Sequence, residues 1–287
     1  MRSTPVRNSS AFLIAALLLC CKAHPQAETR AATSGVVSPS NAGNVAAAPA
    51  PRVLWLPDAQ VPIIPENTST ASPPAAASSA TAHKIQYRVA AIGDSLTASR
   101  NGGGRYLRYL QEHCPTSVFD NYGVGGEMVN QMRRRFARDI LGKRVGSQQQ
   151  PYSHVIVFGG VNDLYSDQTA GRSNDKIQKD LTAMYDAARS AGMKVVAIAV
   201  APWGGFTRYF NERRGQNTLA LNAWMRAQLD PPHIDYWVDA YRLLSCGEPT
   251  RLCDEYALSF KDGLHFGAKG HEILGKALLQ QVFPDCR

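Results

Sequence analysis

The feature that most constrains the fold is an alternation, from Ile85 onward, of short apolar runs with segments of helical periodicity. Strands that alternate with helices form a parallel sheet that helices cover on both faces. We therefore expect one α/β domain built on a mostly parallel, five-stranded sheet. The apolar runs that predict its strands are residues 87–92, 118–121, 154–158, 194–201 and 235–238.

Helical periods fill the gaps between these predicted strands. In the segment 128–141, for example, apolar residues recur every four positions from Met128 to Ile140, which places them on one face of a helix. Sites in open α/β sheets lie outside the carboxyl ends of the strands, so residues that directly follow a strand are the first functional candidates. The predicted helices are residues 105–113, 128–141, 177–191, 218–229 and 271–282.

A serine and a histidine that suit hydrolytic chemistry lie near opposite ends of this domain. Ser95, in Gly93-Asp94-Ser95-Leu96, directly follows the first predicted strand, and His265 lies three residues after Asp262. A serine hydroxyl is a poor nucleophile without a general base, and a histidine oriented by a carboxylate can be that base. Without the other motifs, Ser95 would be interpreted as the N-cap of a helix and His265 as a surface or hydrogen-bonded structural histidine. Asp94 is expected to shape the turn.

Two further polar blocks follow strands in between. Residues 121–127 contain Gly125 and Gly126, and glycines at a strand-to-helix junction expose backbone N–H groups that suit an anion. Asn162, which follows the third predicted strand, can donate its amide to developing negative charge, although taken alone it would be assigned to a turn. Asp163 is expected to cap the helix that begins there. Both blocks therefore predict donors for an oxyanion.

These four blocks, in this order, resemble the SGNH (GDSL-type) hydrolase superfamily over about residues 85–286. The resemblance implies a flavodoxin-like three-layer α/β/α sandwich and ester hydrolysis through an acyl-enzyme, with no metal or cofactor. It also implies that Ser95 is the nucleophile, His265 the base and Asp262 the acid of the catalytic triad.

The same resemblance implies an oxyanion hole. Its donors would be the backbone N–H groups of Ser95 and Gly126 and the side-chain amide of Asn162. Gly125 is the alternative to Gly126, because the two glycines are adjacent. We therefore expect three hydrogen-bond donors to surround the ester carbonyl oxygen.

Aromatic residues in a loop after the fourth predicted strand are candidates for the substrate pocket. Trp203 and Phe206 lie in this loop, at the sheet edge that carries Ser95. We expect both to line an acyl or sugar pocket, with Tyr165 on the opposite wall. The alternative is that these aromatic side chains only anchor the loop.

The N-terminal residues predict export. Basic residues precede an apolar run, 12–21, that is too short to span a bilayer, a pattern typical of a secretory signal peptide. We expect residues 1–23 to be this signal, and the protein to be secreted or periplasmic. A lipoprotein signal with Cys20 or Cys21 lipidated is the alternative, and it would anchor the protein to a membrane.

Residues 24–84 are rich in Ala, Pro, Ser and Thr. Such a sequence buries too little apolar surface to offset the entropy of ordering it, so it predicts a disordered linker ahead of a hydrolase domain at 85–287. An apolar island at 53–65 interrupts the linker. We expect this island to pack on the domain surface, or alternatively to dock a partner.

The cysteines predict two disulfide bonds. Six cysteines are present, and four lie outside the expected signal. Cys246 and Cys253 flank a short loop that a disulfide would close. Cys114 ends the first predicted helix and Cys286 follows the last, so the two meet if both helices run away from the same sheet edge. We expect the pairs Cys114–Cys286 and Cys246–Cys253. Zinc binding is the alternative, but close-spaced ligand pairs are missing.

The chain is basic, with 31 Lys and Arg against 23 Asp and Glu and a formal charge of +8. No nucleic-acid-binding module accompanies this charge, so we expect no nucleic-acid partner. The arginines predict either a solvated helix face or attraction to anionic polymers or lipid head groups.

Taken together, these patterns predict an exported serine esterase that acts on acyl esters, with O-acetyl groups of envelope or extracellular polysaccharide as the leading substrate class. A lysophospholipase or thioesterase for longer acyl chains and an O-acyltransferase are the enzyme alternatives. An inactive binding module is the alternative outside enzymes. The expected partner is the ester substrate, on a polysaccharide or a lipid, with envelope attachment through the N-terminus.

Overall fold

The computed structural model describes residues 85–100, 102–142, 151–259 and 262–286. The expected signal peptide, the linker and its apolar island lie outside these residues and stay predictions. Within the described ranges, none of the helices combines the length and the apolar character needed to cross a membrane.

Five strands form one parallel sheet in the order β2-β1-β3-β4-β5, which confirms the predicted sheet and is the flavodoxin-like order. Gly93 at the end of β1 lies level with Gly123 of β2 and Phe158 of β3. The segments that follow these three strands therefore leave the sheet at one edge. The strands are β1 Arg88–Gly93, β2 Val118–Gly123, β3 His154–Phe158, β4 Lys194–Ile198 and β5 Tyr236–Val238.

Helices cover both faces of the sheet, as the alternation predicts. Successive side chains of a strand point to opposite faces. Val89 and Ala91 of β1 accordingly pack with α1 and α7, whereas Ala90 and Ile92 pack with α2, α4 and α5. The helices are α1 Arg105–His113, α2 Val129–Phe136 with a π-helical continuation Ala137–Leu141, α3 Val161–Tyr165, α4 Asn174–Ser190, α5 Glu212–Ala227, α6 Ala240–Leu244 and α7 Ala268–Gln281.

Several boundaries differ from the sequence prediction by two residues or more, and for two of them the structure shows a local reason. The fourth strand was expected to continue to Ala201 but ends at Ile198. The N–H of Val200 donates to Asn222 Oδ1 at 2.9 Å, and Asn222 Nδ2 donates to the carbonyl of Val200 at 3.0 Å, so neither group is available to a neighbouring strand. Helix α5 begins six residues earlier than the expected Thr218, at Glu212, because Asn211 caps its first turn. Polar side chains, rather than apolar periodicity, set both limits.

Both expected disulfides are confirmed. Cys114 directly follows α1 and Cys286 follows α7. Their Cα atoms lie 5.2 Å apart, and the disulfide joins these two segments. Cys246 and Cys253 lie 5.0 Å apart and close a small antiparallel hairpin, β6 Ser245–Cys246 and β7 Glu248–Leu252, which sequence patterns did not predict. The long bridge ties the last helix to the first, so it supports the whole domain.

Removal of the Cys114–Cys286 bridge is expected to destabilise the domain more than removal of Cys246–Cys253. The closed loops have sequence separations of 172 and 7 residues. Loop-closure entropy gives about 5 kcal/mol for the first and about 2.5 kcal/mol for the second as upper estimates. The measurement is urea unfolding, without reductant, of the two paired Cys→Ala variants. A larger loss for the hairpin variant would contradict this prediction.

Candidate active site

Ser95, His265 and Asp262 form a continuous hydrogen-bond chain at the carboxyl edge of the sheet. The Ser95 Oγ lies 2.8 Å from Nε2 of His265, and Nδ1 of His265 lies 2.6 Å from Oδ2 of Asp262. The His265 and Asp262 side chains are 29% and 24% exposed, so the chain can be reached from solvent. Residues that lie 170 positions apart in sequence are thus brought together by the fold.

The turn that carries Ser95 is built by its neighbours. The backbone N–H groups of Thr97 and Ala98 donate to the carbonyl oxygen of Asp94, and the N–H of Leu96 donates to Asp94 Oδ1 at 2.9 Å. A Cβ on Gly93 would lie 2.3 Å from Thr97 Oγ1, so only glycine fits before this turn. Asp94 therefore shapes the turn, and its side chain does not bond to the histidine.

The second block supplies a glycine turn beside the serine. The N–H of Glu127 donates to the carbonyl of Val124 across Gly125 and Gly126, and Gly126 has φ of 78°, a conformation that favours glycine. A Cβ on Gly125 would lie 3.9 Å from the Cβ of Ser95, whereas one on Gly126 would meet nothing within 4 Å. Gly125 is thus the glycine that approaches the Ser95 side chain more closely.

Asn162 is buried at the start of α3, and its side chain ties the third block to the second. Its Nδ2 donates to the carbonyl of Glu127 at 2.8 Å. A side-chain amide carries two N–H donors, so this bond leaves the second hydrogen of Asn162 for another acceptor. The amide is held by the same loop that contains the two glycines.

Asp163 caps a different helix from the one expected. The sequence predicts that it caps the helix that follows it, but its Oδ2 accepts from the N–H of Val129, the first residue of the preceding helix α2, at 2.9 Å. Its Oδ1 accepts from Nε of Arg172 at 2.6 Å. Val129 is the first of the helix N–H groups that lack an intrahelical partner, and Asp163 satisfies it from outside the helix. This contact has no signal in the local sequence.

The two aspartates of the site have opposite pKa shifts. Burial alone would raise the pKa of Asp262, but hydrogen bonds from the His265 ring and from the N–H groups of His265 and Leu264 hold it below its ordinary value. Burial raises the pKa of Asp94 to about 7, and its Oδ2 has no hydrogen-bond partner among the described residues. Asp262 is therefore charged at neutral pH, while much of Asp94 is not.

A cavity of about 800 Å³ opens beside the serine. Ser95, His265 and Asp262 all line it. The rest of its described wall consists mainly of small residues, together with an asparagine, two apolar side chains larger than alanine and one arginine: Ala98, Ser99, Gly123, Gly125, Asn121, Val124, Leu258 and Arg100.

The aromatic residues expected to bind substrate do not line this cavity. Trp203 is fully buried, and its Nε1 donates to Thr218 Oγ1 at 3.0 Å. The prediction for Trp203 is wrong, because an indole without exposed surface cannot contact a ligand in an open cavity. It anchors the loop instead.

Phe206 and Tyr165 are half-buried and contact each other, with ring centroids 5.9 Å apart, and both also contact Tyr209. The loop before Phe206 packs tightly on the turn between Asp262 and His265, where a Cβ on Gly205 would lie 2.8 Å from Gly263. These rings therefore form a separate cluster, and neither Phe206 nor Tyr165 lines the cavity.

Within the described ranges, no group of three or more His, Cys, Asp or Glu side chains could hold a metal ion. The groups that can act chemically at this edge are the hydroxyl, the imidazole, the carboxylate and the N–H donors around them. A hydroxyl bonded to an imidazole, which is in turn bonded to a carboxylate, is the arrangement of serine hydrolases.

Comparisons with known proteins identify the family. Residues 91–273 match the GDSL-like lipase/acylhydrolase family, so the chain belongs to that family and is a hydrolase of ester bonds. A sequence comparison with proteins of curated function gives no match.

Similar solved structures share the fold. A GDSL-like lipase from Bacteroides thetaiotaomicron has 23% identity and a TM-score of 0.54, over 68% of this chain and 86% of that one. A lipase/acylhydrolase from Enterococcus faecalis has 20% identity and a TM-score of 0.54, over 68% and 94%. An acetylxylan esterase from Geobacillus stearothermophilus, solved as a catalytic mutant, has 16% identity and a TM-score of 0.53, over 69% and 95%.

Replacement of Asp94 by Asn is expected to change how stability depends on pH. The folded pKa of about 7 lies above the ordinary aspartate pKa of 3.8, so the folded state binds more protons than the unfolded state between these values. The free energy of unfolding contributed by Asp94 therefore falls as pH rises from about 4 to about 7, by at most about 4 kcal/mol. Asp94→Asn has no such proton to lose.

The measurement is urea unfolding of both proteins from pH 4 to pH 8. We expect the variant to gain stability relative to the wild type as pH rises. Asp175→Asn, at an exposed position in the first turn of α4, controls for the loss of one carboxylate. A difference between wild type and Asp94→Asn that stays constant over this range would contradict the raised pKa.

Proposed function

We propose that this protein is an exported serine esterase that hydrolyses carboxylic esters through an acyl-enzyme, with Ser95 as nucleophile, His265 as base and Asp262 as orienting acid. The observation that carries this proposal is the unbroken hydrogen-bond chain of 2.8 and 2.6 Å that ends at an open cavity. Export is supported by the signal-like pattern of residues 1–23 and by the two disulfides.

The first half of the reaction forms the acyl-enzyme. Asp262 accepts the hydrogen of His265 Nδ1, which leaves a lone pair on Nε2 facing Ser95. As the Ser95 Oγ attacks the ester carbonyl carbon, its proton passes to Nε2. Asp262 stabilises the resulting imidazolium, and a tetrahedral intermediate with a negatively charged oxygen forms.

The oxyanion is stabilised by donors that the fold holds in place. The remaining amide hydrogen of Asn162, the N–H of Ser95 and an N–H of the Gly125–Gly126 turn are the proposed donors. Removal of one such donor in a serine protease costs about 2.7–4 kcal/mol of transition-state stabilisation. The bond from Asn162 to Glu127 positions two parts of the hole together, so little reorganisation is needed during the reaction.

Both products leave past the histidine. Collapse of the tetrahedral intermediate, with His265 giving its proton to the leaving alcohol oxygen, completes the acyl-enzyme, and hydrolysis of the acyl-enzyme is the second half. A water molecule then gives a proton to Nε2 as it attacks the acyl carbon, and Ser95 leaves with the proton restored to its Oγ. Each proton thus passes through the one nitrogen that lies 2.8 Å from the nucleophile.

Esters of short acyl groups, O-acetyl groups of polysaccharide in particular, are the proposed substrates. Small residues, among them Ala98, Gly123 and Gly125, surround Ser95 in the described part of the cavity. This wall offers little apolar surface to a long acyl chain, and an open cavity can admit part of a polymer. A longer acyl chain is the second candidate, because 800 Å³ is more space than an acetyl group fills and Leu258 contributes an apolar surface.

Replacement of Ser95 by Ala is expected to lower kcat for p-nitrophenyl acetate by about 10⁴-fold or more, since the nucleophile is removed. Ser190→Ala, at an exposed position in the last turn of α4, is the matched control and should keep wild-type activity. Circular dichroism checks that both variants are folded. Full activity of Ser95→Ala would overturn the catalytic assignment.

A series of p-nitrophenyl esters from acetyl to palmitoyl tests the acyl preference. We expect kcat/KM to be highest for acetyl and to fall as the chain lengthens, because small residues line the site near Ser95. The measurement is initial-rate kinetics in the presence of a fixed detergent concentration. Activity that rises with chain length would favour the second candidate instead.

A further inference from the structure

The cavity beside Ser95 contains one arginine whose role the catalytic chemistry does not explain. Arg100 lies five residues after the nucleophile, and it is the only lysine or arginine among the described residues that line the cavity. The loop that carries it is held tightly: the N–H of Gly103 donates to the carbonyl of Arg100 at 3.2 Å, and a Cβ on Gly103 would lie 2.1 Å from the carbonyl oxygen of Ser95. The backbone of Arg100 is thereby fixed against the turn of the nucleophile.

Arg100 has no ion pair with any described residue. Other arginines at this edge of the fold are committed to carboxylates: Arg135 pairs with Glu127, Arg172 with Asp163 and Arg214 with Asp167. Arg100 is an exposed residue that lines the cavity, and its side chain makes no hydrogen bond to another described residue. A planar guanidinium matches a carboxylate or phosphate with two parallel hydrogen bonds.

The carboxylate that lines the cavity, Asp262, does not pair with the positive charge of Arg100. Asp262 is the only carboxylate in the described part of the wall. Its oxygens accept from Nδ1 of His265 and from the N–H groups of Leu264 and His265. These three hydrogen bonds hold the Asp262 carboxylate in place against the imidazole, and it forms no ion pair with Arg100. An anionic group of a ligand can therefore pair with Arg100.

The position of His265 shows which half of the substrate meets Arg100. In the proposed reaction His265 protonates the leaving alcohol, so the alcohol oxygen must lie within hydrogen-bond reach of its Nε2. His265 lines the cavity together with Arg100, as do Ser95 and Gly125. The reacting ester therefore lies in this cavity, and an alcohol half that leaves past His265 lies within the space that Arg100 also lines.

We propose that Arg100 forms an anion subsite that selects esters whose alcohol half carries a carboxylate or another anionic group close to the ester oxygen. On a polymer, this chemistry is that of an O-acylated acidic polysaccharide. The inference rests on the proposed function, because it assumes that ester alcohols leave past His265. The formal charge of +8 on the chain would add a long-range attraction to such a polyanion.

Two acetyl esters with matched leaving groups test the subsite. The probes are 4-acetoxybenzoate, which has a carboxylate on its alcohol half, and 4-acetoxybenzamide, which is neutral and similar in shape. We expect wild-type kcat/KM to favour the carboxylate by about two- to fivefold, mainly through KM, which is the size of a partly exposed ion pair. Arg100→Ala should bring this ratio to about one, Arg100→Lys should retain part of it, and Arg100→Glu should invert it.

The control variant is Arg134→Ala, which removes one exposed positive charge from α2 outside the cavity. Its ratio should equal that of the wild type. If the ratio falls equally in Arg134→Ala and Arg100→Ala, the preference comes from net charge, and the subsite is wrong. An unchanged ratio in Arg100→Ala would also overturn it.

A third probe, mono-(p-nitrophenyl) succinate, carries its anion on the acyl half. Loss of activity on this ester in Arg100→Ala, with the 4-acetoxybenzoate ratio intact, would place Arg100 beside the acyl group and overturn the proposal. Failure of the proposed function looks different. In that case the wild type would hydrolyse none of the three esters, nor p-nitrophenyl acetate, and every variant would match it.

Discussion

The register of the three neighbouring strands is the constraint on which the site depends. Gly93, Gly123 and Phe158 lie side by side, so the loops after β1, β2 and β3 leave the sheet at one level. The turn after β1 then folds back so closely that any side chain at Gly93 would overlap Thr97 and the Phe158 carbonyl. A shift of one residue in this pairing would send every buried strand side chain to the opposite face. Core packing and the position of Ser95 are therefore fixed together.

Hydrogen bonds between loops complete what the sheet begins. Asn162 binds the carbonyl of Glu127, and Asp163 binds the first N–H of α2, so two adjacent side chains of α3 hold the glycine turn and the helix that follows it. Both residues are buried, and an unpaired buried polar group costs about 1–3 kcal/mol. Arg172 extends the bonding to Asp180 of α4. The proposed oxyanion hole is thus a rigid part of the fold.

Local sequence signals were sufficient for the sheet and for the residues now seen in the hydrogen-bond chain. The five strands and Ser95, Asp262 and His265 are each marked by a strand end or a short motif. The sequence predictions that were wrong concern contacts between residues far apart in the sequence. Nothing near Trp203 shows that its indole turns inward to Thr218, and nothing near Asp163 shows that its partner is Val129. Side-chain direction in a loop is decided by tertiary packing, which no periodicity records.

The two aspartates of the site show how environment divides similar groups between structural and chemical roles. Asp94 is buried directly before Ser95, where charge is costly, and its pKa rises to about 7. Asp262 is partly exposed and accepts three hydrogen bonds, which favour its charged form. Titratable groups with pKa values pushed in opposite directions are typical of acid–base sites. At neutral pH the negative charge therefore resides mainly on Asp262, which accepts from the His265 ring and is, in the proposed reaction, the carboxylate that stabilises the imidazolium.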